Sequence, residues 1–451
     1  MRKPTWMKGR GGARTLLLKL LGITALTELK QSAFFRHTVT LMSGTMIAQA
    51  IPLLTAPILT RQYTPRDFGI FAIFGAVTTI VGTVANGRYE MAILLPKEHR
   101  EGRTVLILSL IVPLLVGLLA ALLCTIFTPW VVGLLGVPAS TPWVWWIPPT
   151  ICMLGWNQAL SAWANRRLRY HFMAWSRILQ AISTAGVKIL LGCISAGAVG
   201  LLGGYLCGLT LSLGVLTIAL LRSPLPPSEL PVPEGGGWSA LLTAAKRYKN
   251  FPLYMIPGSF MNVAAGQLPN ILIGHLFGLS SAGFYALAQR AITLPVSVLT
   301  NSISEVFRQK ASADYAATGN LGTIYRRVLR LLLLISPLVF LPLALVAQPL
   351  FGLVFGEVWR PAGELVTILC IVFAVQVVAS PLSTTFIVLE RQRFNLAWQT
   401  GLFAVSVSSI YFGWFVAPTF QGAMVYYAIG SAAMYLVNLV YSRAMACAST
   451  P

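Results

Sequence analysis

Acidic residues are scarce in this sequence. Only 12 Asp and Glu stand against 33 Lys and Arg in 451 residues, and charged residues make up 10% of the chain. A soluble domain carries roughly 25%, and a soluble fold would here have to bury almost every helix on all sides. Histidine is rarer still, with four copies. The six cysteines (Cys124, Cys152, Cys193, Cys207, Cys370 and Cys447) lie in or beside apolar segments without metal-ligand spacing, and they read as small apolar packing residues. No paired carboxylates, metal cluster or nucleophile–base pair stands out. The expectation is a non-enzyme with no catalytic residue, no metal and no cofactor. No cleavable signal is expected either: the stretch TLLLKLLGITAL (15–26) is short and carries Lys19.

Hydrophobic residues, by contrast, make up 56% of the chain. Apolar windows of about 20 residues, the length that crosses ~30 Å of hydrocarbon, recur near 38–60, 68–95, 104–127, 143–165, 171–191, 196–221, 251–274, 282–305, 328–347, 362–389, 394–416 and 421–442. The segment 350–356 is a candidate interfacial piece. The pattern predicts an all-α polytopic membrane protein of about twelve spans.

The formal charge of +21 suggests nucleic acid until its placement is traced. Basic residues fall in short clusters between apolar runs, leaving no folded basic domain to hold a duplex, so no nucleic-acid partner is expected. Of the 33 basic residues, 26 fall on one side of the expected topology. Three fall opposite (Arg61, Arg66 and Arg360), and four lie inside spans (Arg88, Arg177, Lys188 and Arg290). Positive residues mark the cytoplasmic side, which predicts cytoplasmic termini in a multi-pass membrane protein. The basic tail can also touch anionic membrane lipid.

The stretch PLPPSELPVPEGGGWSA (224–240), rich in Pro and Gly, is the one clear linker. The expected organisation is a basic tail (1–37), six spans (38–222), a cytoplasmic linker (223–250), six more spans (251–443) and a short tail (444–451). Two weak internal similarities support a repeat. Gly69-Ile-Phe-Ala-Ile73 resembles Gly283-Phe-Tyr-Ala-Leu287 at an offset of 214, and RLRYHFMAW (167–175) resembles RQRFNLAW (391–398). Six spans per half give a parallel repeat, which places a substrate site at the interface and works by rocking one half on the other.

At 100° per residue, several spans carry polar rows. The second aligns Thr79, Thr83, Asn86 and Glu90, with Arg88 about 160° from Glu90, on the other side. The fourth aligns Asn157, Ser161 and Asn165; the fifth, Arg177, Thr184 and Lys188. The eighth has Arg290, Thr293, Ser297, Asn301, Ser304 and Arg308, with Glu305 at its edge. The seventh offers Asn262 and Asn270, and the first Thr45 and Gln49 ahead of Pro52 and Pro57, which imply a bent or broken helix. Ser, Thr and Asn often serve only as hydrogen-bonding glue between helices, whereas ionisable groups inside a membrane are functional candidates. Arg290, Arg177, Lys188, Asn301, Asn157, Asn262 and Gln49 are therefore candidate cavity residues. Arg88, Glu90 and Glu305 are candidate gate or coupling residues, since Glu90 plus the offset lands beside Glu305. Interior arginine and lysine suit an anionic group such as phosphate, and amide and hydroxyl rows suit sugars.

Four stretches carry a family resemblance: SGTMIAQAIPLLTAPILTRQYTPRDFGIFAIF (43–74), NGRYEMAILLP (86–96), LSAWANRRLRYHFMAWSRI (160–178) and SAGFYALAQRAITLPVSVL (281–299). In order and position the chain resembles the Wzx-type polysaccharide flippases, in the polysaccharide transporter branch of the MATE-like (MOP) superfamily. That resemblance implies two six-helix bundles around a V-shaped cavity. It also implies passage of undecaprenyl-diphosphate-linked oligosaccharide from the cytoplasmic to the periplasmic leaflet, for O-antigen, capsule or exopolysaccharide. Partner polymerase and export machinery, and cavity arginines near the diphosphate, including one where Arg290 sits, follow from it too. The lipid II flippases of the superfamily place an arginine on the first helix, whereas here that span has only Arg36 and His37 at its mouth. The competing readings are a multidrug or cation antiporter of the same fold, which calls for acids at mid-depth, and a polytopic polymerase, ligase or glycosyltransferase, which calls for a sizeable reactive external loop.

Overall fold

The computed structural model describes residues 33–127, 133, 142–222 and 237–448. Most of the basic tail, the first part of the linker (223–236) and the last three residues lie outside that range. Twelve long helices run through the described residues, with no strand among them. They are α1 (Ala33–Gln62), α2 (Pro65–Val84), α3 (His99–Ile126), α4 (Ile147–Arg166), α5 (Tyr170–Cys193) and α6 (Gly197–Leu221). The second six are α7 (Ile256–Phe277), α8 (Leu279–Thr318), α9 (Gly322–Phe355), α10 (Arg360–Leu382), α11 (Gln392–Val416) and α12 (Phe420–Ala448).

Seven of the twelve are long and apolar enough to cross a membrane by their own composition. The five that fall short are α4, α5, α7, α8 and α11, which carry most of the polar rows. A helix screened from lipid by its neighbours can hold polar groups that a lipid-facing helix cannot. The chain is an all-helical polytopic membrane protein.

Several local expectations change. The first helix runs unbroken through Pro52 and Pro57, and α9 continues to Phe355, so 350–356 is not a separate piece. At 40 residues, α8 is about 60 Å long and projects well past a ~30 Å hydrocarbon layer. The second half of the linker is a helix, Gly237–Arg247, packed on α3. Tyr248 donates to Glu101 Oε1 at 3.0 Å, and Arg247 lies 2.7 Å from the same oxygen. Burial, then that hydrogen bond, pushes the Tyr248 phenol up.

The repeat is visible in the backbone. Thr64 caps α2 through a reciprocal pair with Asp67: the Asp67 amide donates to the Thr64 hydroxyl, and Asp67 Oδ2 accepts from the Thr64 amide. The equivalent position at an offset of 214 is Gly278, with φ +88°, which precedes α8. Immediately beyond, α2 and α8 meet at Gly69 and Gly283. A Cβ on Gly69 would collide with the Leu279 carbonyl, and one on Gly283 with the Pro65 carbonyl. Pro65 and Leu279 are themselves 214 apart, so the contact is symmetric and the pseudo-two-fold axis passes between the two glycines.

A second corner repeats at an offset of 222. Leu168 and Glu390 both have positive φ, 54° and 56°. The Arg169 amide donates to Ala164 O and the Arg391 amide to Phe386 O, both at 2.8 Å. This pairs Arg169, not Arg167, with Arg391, so the sequence alignment of that corner was two residues out of register.

The halves touch mainly through α2 against α7 and α8. At the end bearing the α2 and α8 N-termini, Trp359 is buried, donates from Nε1 to Thr60 O at 2.9 Å, and packs edge-on against Phe68 and Phe284. That end is sealed by apolar side chains and close backbone. Toward the opposite, basic end, Asn301, Glu305 and Val306 of α8 stand exposed.

Candidate functional site

Two adjoining cavities lie behind the seal. The first, of about 490 Å³, sits between the halves, with Pro52 and Ala56 of α1, Phe71 and Thr79 of α2, Tyr205 of α6, Asn270 of α7 and Arg290 of α8 in its wall. The second, of about 540 Å³, lies within the second half among α7, α8, α10, α11 and α12. Gln267, Gln289 and Thr293 belong to both walls and form the passage between them.

Arg290 is the only charged residue among the lining residues of either cavity. It stands 11 residues into α8, about 16 Å from that helix end, which is deeper than its sequence position within the expected span suggested. Its side chain is exposed to the cavity, and none of the ion pairs among the described residues involves it. An unpaired guanidinium facing a partly open space, whose largely apolar wall carries a few amides and hydroxyls, is a donor fork without an acceptor.

The other interior cations are occupied. Lys188 is buried, with Nζ 3.7 Å from the centre of the Phe71 ring. Its place is set by α6, where Gly200, Gly204 and Gly208 form a stripe at four-residue spacing. A Cβ on Gly204 would press on the Lys188 backbone and side chain, so small residues let α5 and α6 approach closely. Arg177 is half-buried and donates from Nη1 to Thr45 Oγ1 at 2.5 Å, tying α5 to α1.

The amide candidates divide. Asn157 donates to Ser212 Oγ at 2.7 Å and ties α4 to α6. Asn262 is exposed and lines the second cavity. Gln49 is exposed on α1 one turn before Pro52, and Asn301 is exposed on the basic half of α8. Neither Gln49 nor Asn301 lines a cavity described here.

The relation expected between Arg88 and Glu90 is overturned. The second helix ends at Val84 instead of continuing to 95, and Gly87 and Arg88 both take φ +60°. That left-handed corner swings Arg88 back, so Nη1 lies 3.3 Å from Glu90 Oε1 where a continuous helix would have set them on opposite sides. Asn86, fully buried, donates to Gly155 O at 2.8 Å. Asn86 Oδ1, Arg88 Nε and Glu90 Oε2 remain buried without partners. Glu305 has a different setting: it is exposed and pairs with Arg308 one turn on, at 2.7 Å. The two acids proposed as matching gates therefore occupy unlike surroundings.

The residues that sequence reading missed are the neutral ones of the second cavity, among them Gln376, Gln399 and Asn438. A signal was present. Gln376, Ser380 and Ser383 recur at i, i+4 and i+7 along α10 and its C-cap, Ser431, Tyr435 and Asn438 do the same on α12, and Asn395 and Gln399 are one turn apart on α11.

Residues 58–364 match a family model described as polysaccharide biosynthesis protein. A relative from Rhizobium meliloti (strain 1021), the succinoglycan biosynthesis transport protein ExoT, is 23% identical over 332 residues, 71% of this chain and 62% of that one. The chain spans less than two thirds of the length of the curated relatives it matches first. Among solved structures, the lipid II flippase MurJ in an inward closed conformation superposes with a TM-score of 0.67 at 14% identity, over 90% of this chain and 87% of that one. An inward-facing multidrug resistance MATE transporter of the MOP superfamily gives 0.65 at 14%, over 88% and 94%. The fold is shared with both.

Proposed function

We propose that this chain, which belongs to the polysaccharide biosynthesis protein family, is a flippase that carries an undecaprenyl-diphosphate-linked oligosaccharide from the cytoplasmic to the periplasmic leaflet of the bacterial inner membrane. One observation carries the reading: Arg290, unpaired at mid-depth, facing a partly open cavity between the two halves with no acidic residue among its lining residues. A guanidinium there matches a diphosphate, which accepts its donors two at a time. The skew of basic residues orients the basic end to the cytoplasm, so the space behind the seal faces the leaflet where the lipid-linked unit is made.

Transport then follows from the symmetric contact. The halves are in closest approach at Gly69 and Gly283, so rocking about that seam opens one end as it closes the other. Arg290 is close enough to the seam to stay with the headgroup throughout, while the carrier tail remains in lipid. An antiporter for cations or cationic drugs would need an acid where Arg290 stands, and the lining residues of both cavities offer none. An enzyme would need a reacting constellation in the same walls, which hold a lone arginine among neutral amides, hydroxyls and apolar groups.

The test joins genetics with chemistry. The gene is deleted in its host and restored as wild type or Arg290→Ala, and surface polysaccharide, lipid-linked precursor and precursor leaflet are assayed. Precursor held in the cytoplasmic leaflet in the deletion and in Arg290→Ala, and released by wild type, is the expected result. Normal surface glycan with altered drug or ion sensitivity would favour the antiporter. Repeat units accumulating unlinked outside would point to polymerase or ligase chemistry instead.

A further inference from the structure

We infer that the second cavity, within the second half, is a binding subsite for neutral sugar rings of the transported glycan, those next to the diphosphate. This rests on the flippase reading and extends it to substrate class. At about 540 Å³ the space falls in the ~300–1,000 Å³ range of small-molecule sites. None of its lining residues is charged, so neither a phosphate nor a cation would be held there. A lipid tail would leave its amides unpaired at a cost of about 1–3 kcal/mol each.

Asn438 supplies the independent sign. It is fully buried, lines the cavity, and both its Oδ1 and its Nδ2 lack any partner. Buried amides are nearly always satisfied, so this one is built for something that arrives. It presents one acceptor and two donors, as a ring bearing adjacent hydroxyls requires. Gln376 and Gln399 offer the same groups from α10 and α11.

The aromatic side is fixed in advance. Trp398 donates from Nε1 to Met434 O at 2.8 Å and packs on Tyr435 with ring centres 5.5 Å apart. Its polar edge is spent within the protein, leaving rigid apolar faces beside the amides. Polar edges with flat apolar faces are the combination a pyranose ring presents. The shared wall of Gln267, Gln289 and Thr293 sets this space beside Arg290, so a diphosphate on the arginine places its attached sugar at the entrance.

The experiment uses the full chain in nanodiscs with two probes: undecaprenyl diphosphate, and undecaprenyl diphosphate bearing the host's repeat unit, extracted from the deletion strain. Affinity and melting temperature are measured for wild type, Arg290→Ala, Asn438→Leu and Gln399→Leu. Asn438→Leu removes a buried amide that nothing in the protein satisfies, so it leaves melting unchanged or raised. The expected result is that Asn438→Leu and Gln399→Leu weaken the glycan-bearing probe by about tenfold, one or two hydrogen bonds' worth, and the bare carrier by less than twofold. Arg290→Ala weakens both. If the two cavity variants affect both probes alike or neither, while Arg290→Ala still weakens both, the subsite is wrong and the flippase reading stands. If wild type binds neither probe, or Arg290→Ala changes neither, the flippase reading fails and takes the subsite with it.

Discussion

The two halves of this molecule share a backbone plan and use polar residues in opposite ways. In the first half the interior polar groups are largely spent on the protein. Asn86 donates to Gly155 O, Asn157 to Ser212, Gln158 to Gly82 O and Arg177 to Thr45, and Lys188 rests on Phe71. In the second half Asn262, Gln376 and Gln399 line an open space, with the fully buried, unpartnered Asn438 in the same wall. One half is glued, the other furnished. The lesson is that an amide at helical spacing has no fixed meaning in a membrane protein, because its role depends on whether the facing helix comes close enough to take its hydrogen bonds.

The sharpest way to break the comparison is at the seam that makes it a repeat. Gly69→Val drives a side chain into the Leu279 carbonyl, and Gly283→Val into the Pro65 carbonyl. Backbone cannot yield as a side chain tip does, so each should cost about 3 kcal/mol or more, at the upper end of overpacking. Melting of the purified variants checks this, and the two should fall by similar amounts. A large loss in one and none in the other would deny the symmetry.

Next in size is the buried pair of the first half. Glu90→Ala leaves Arg88 largely buried without its carboxylate, which costs about 3 kcal/mol. The double variant Arg88→Ala with Glu90→Ala should recover part of that loss, and a double-mutant cycle on melting measures how much. Independent, additive losses would mean the 3.3 Å contact carries no energy.

The comparison itself is tested by two asparagines. Asn157→Ala should lower stability by about 1 kcal/mol and leave transport per folded molecule unchanged. Asn262→Ala should do the reverse, leaving melting within about 0.5 kcal/mol of wild type while reducing transport. Leaflet assays on membranes with matched protein amounts separate the two.

The fold was largely legible in the sequence because its signals are local or additive. Twenty-residue apolar windows found the helices, and the Gly69 and Gly283 match found the axis, since close backbone approach demands glycine at both places. The site was half legible. A charge in an apolar run stands out, so Arg290 was legible as a cavity candidate, although its depth in the helix was not. What could not be read was contact. Gly87 and the strained Arg88 end a helix that looked continuous, and this reverses the geometry of Arg88 and Glu90. The neutral cavity stayed hidden for a related reason: Gln376, Gln399 and Asn438 lie on three different helices, and only packing brings them together.

The smallest expected effect separates the two acids that the offset placed in register. Glu305 and its partner Arg308 are both well exposed, and an exposed i,i+3 pair is worth at most a few tenths of a kcal/mol. Glu305→Gln should therefore leave melting unchanged. Raised salt should also leave it unchanged, because screening already weakens such a pair at physiological ionic strength. Its influence, if it gates, must show in transport alone. Glu90 differs because its carboxylate is enclosed and its second oxygen unpartnered, so Glu90→Gln alters both folding and transport. If Glu305→Gln slows flipping as much as Glu90→Gln while melting like wild type, the two ends of the repeat are matched gates despite unlike surroundings. If it flips at the wild-type rate, the coincidence in register is a remnant of duplication, and of the two acids only Glu90 has a working role at the basic end.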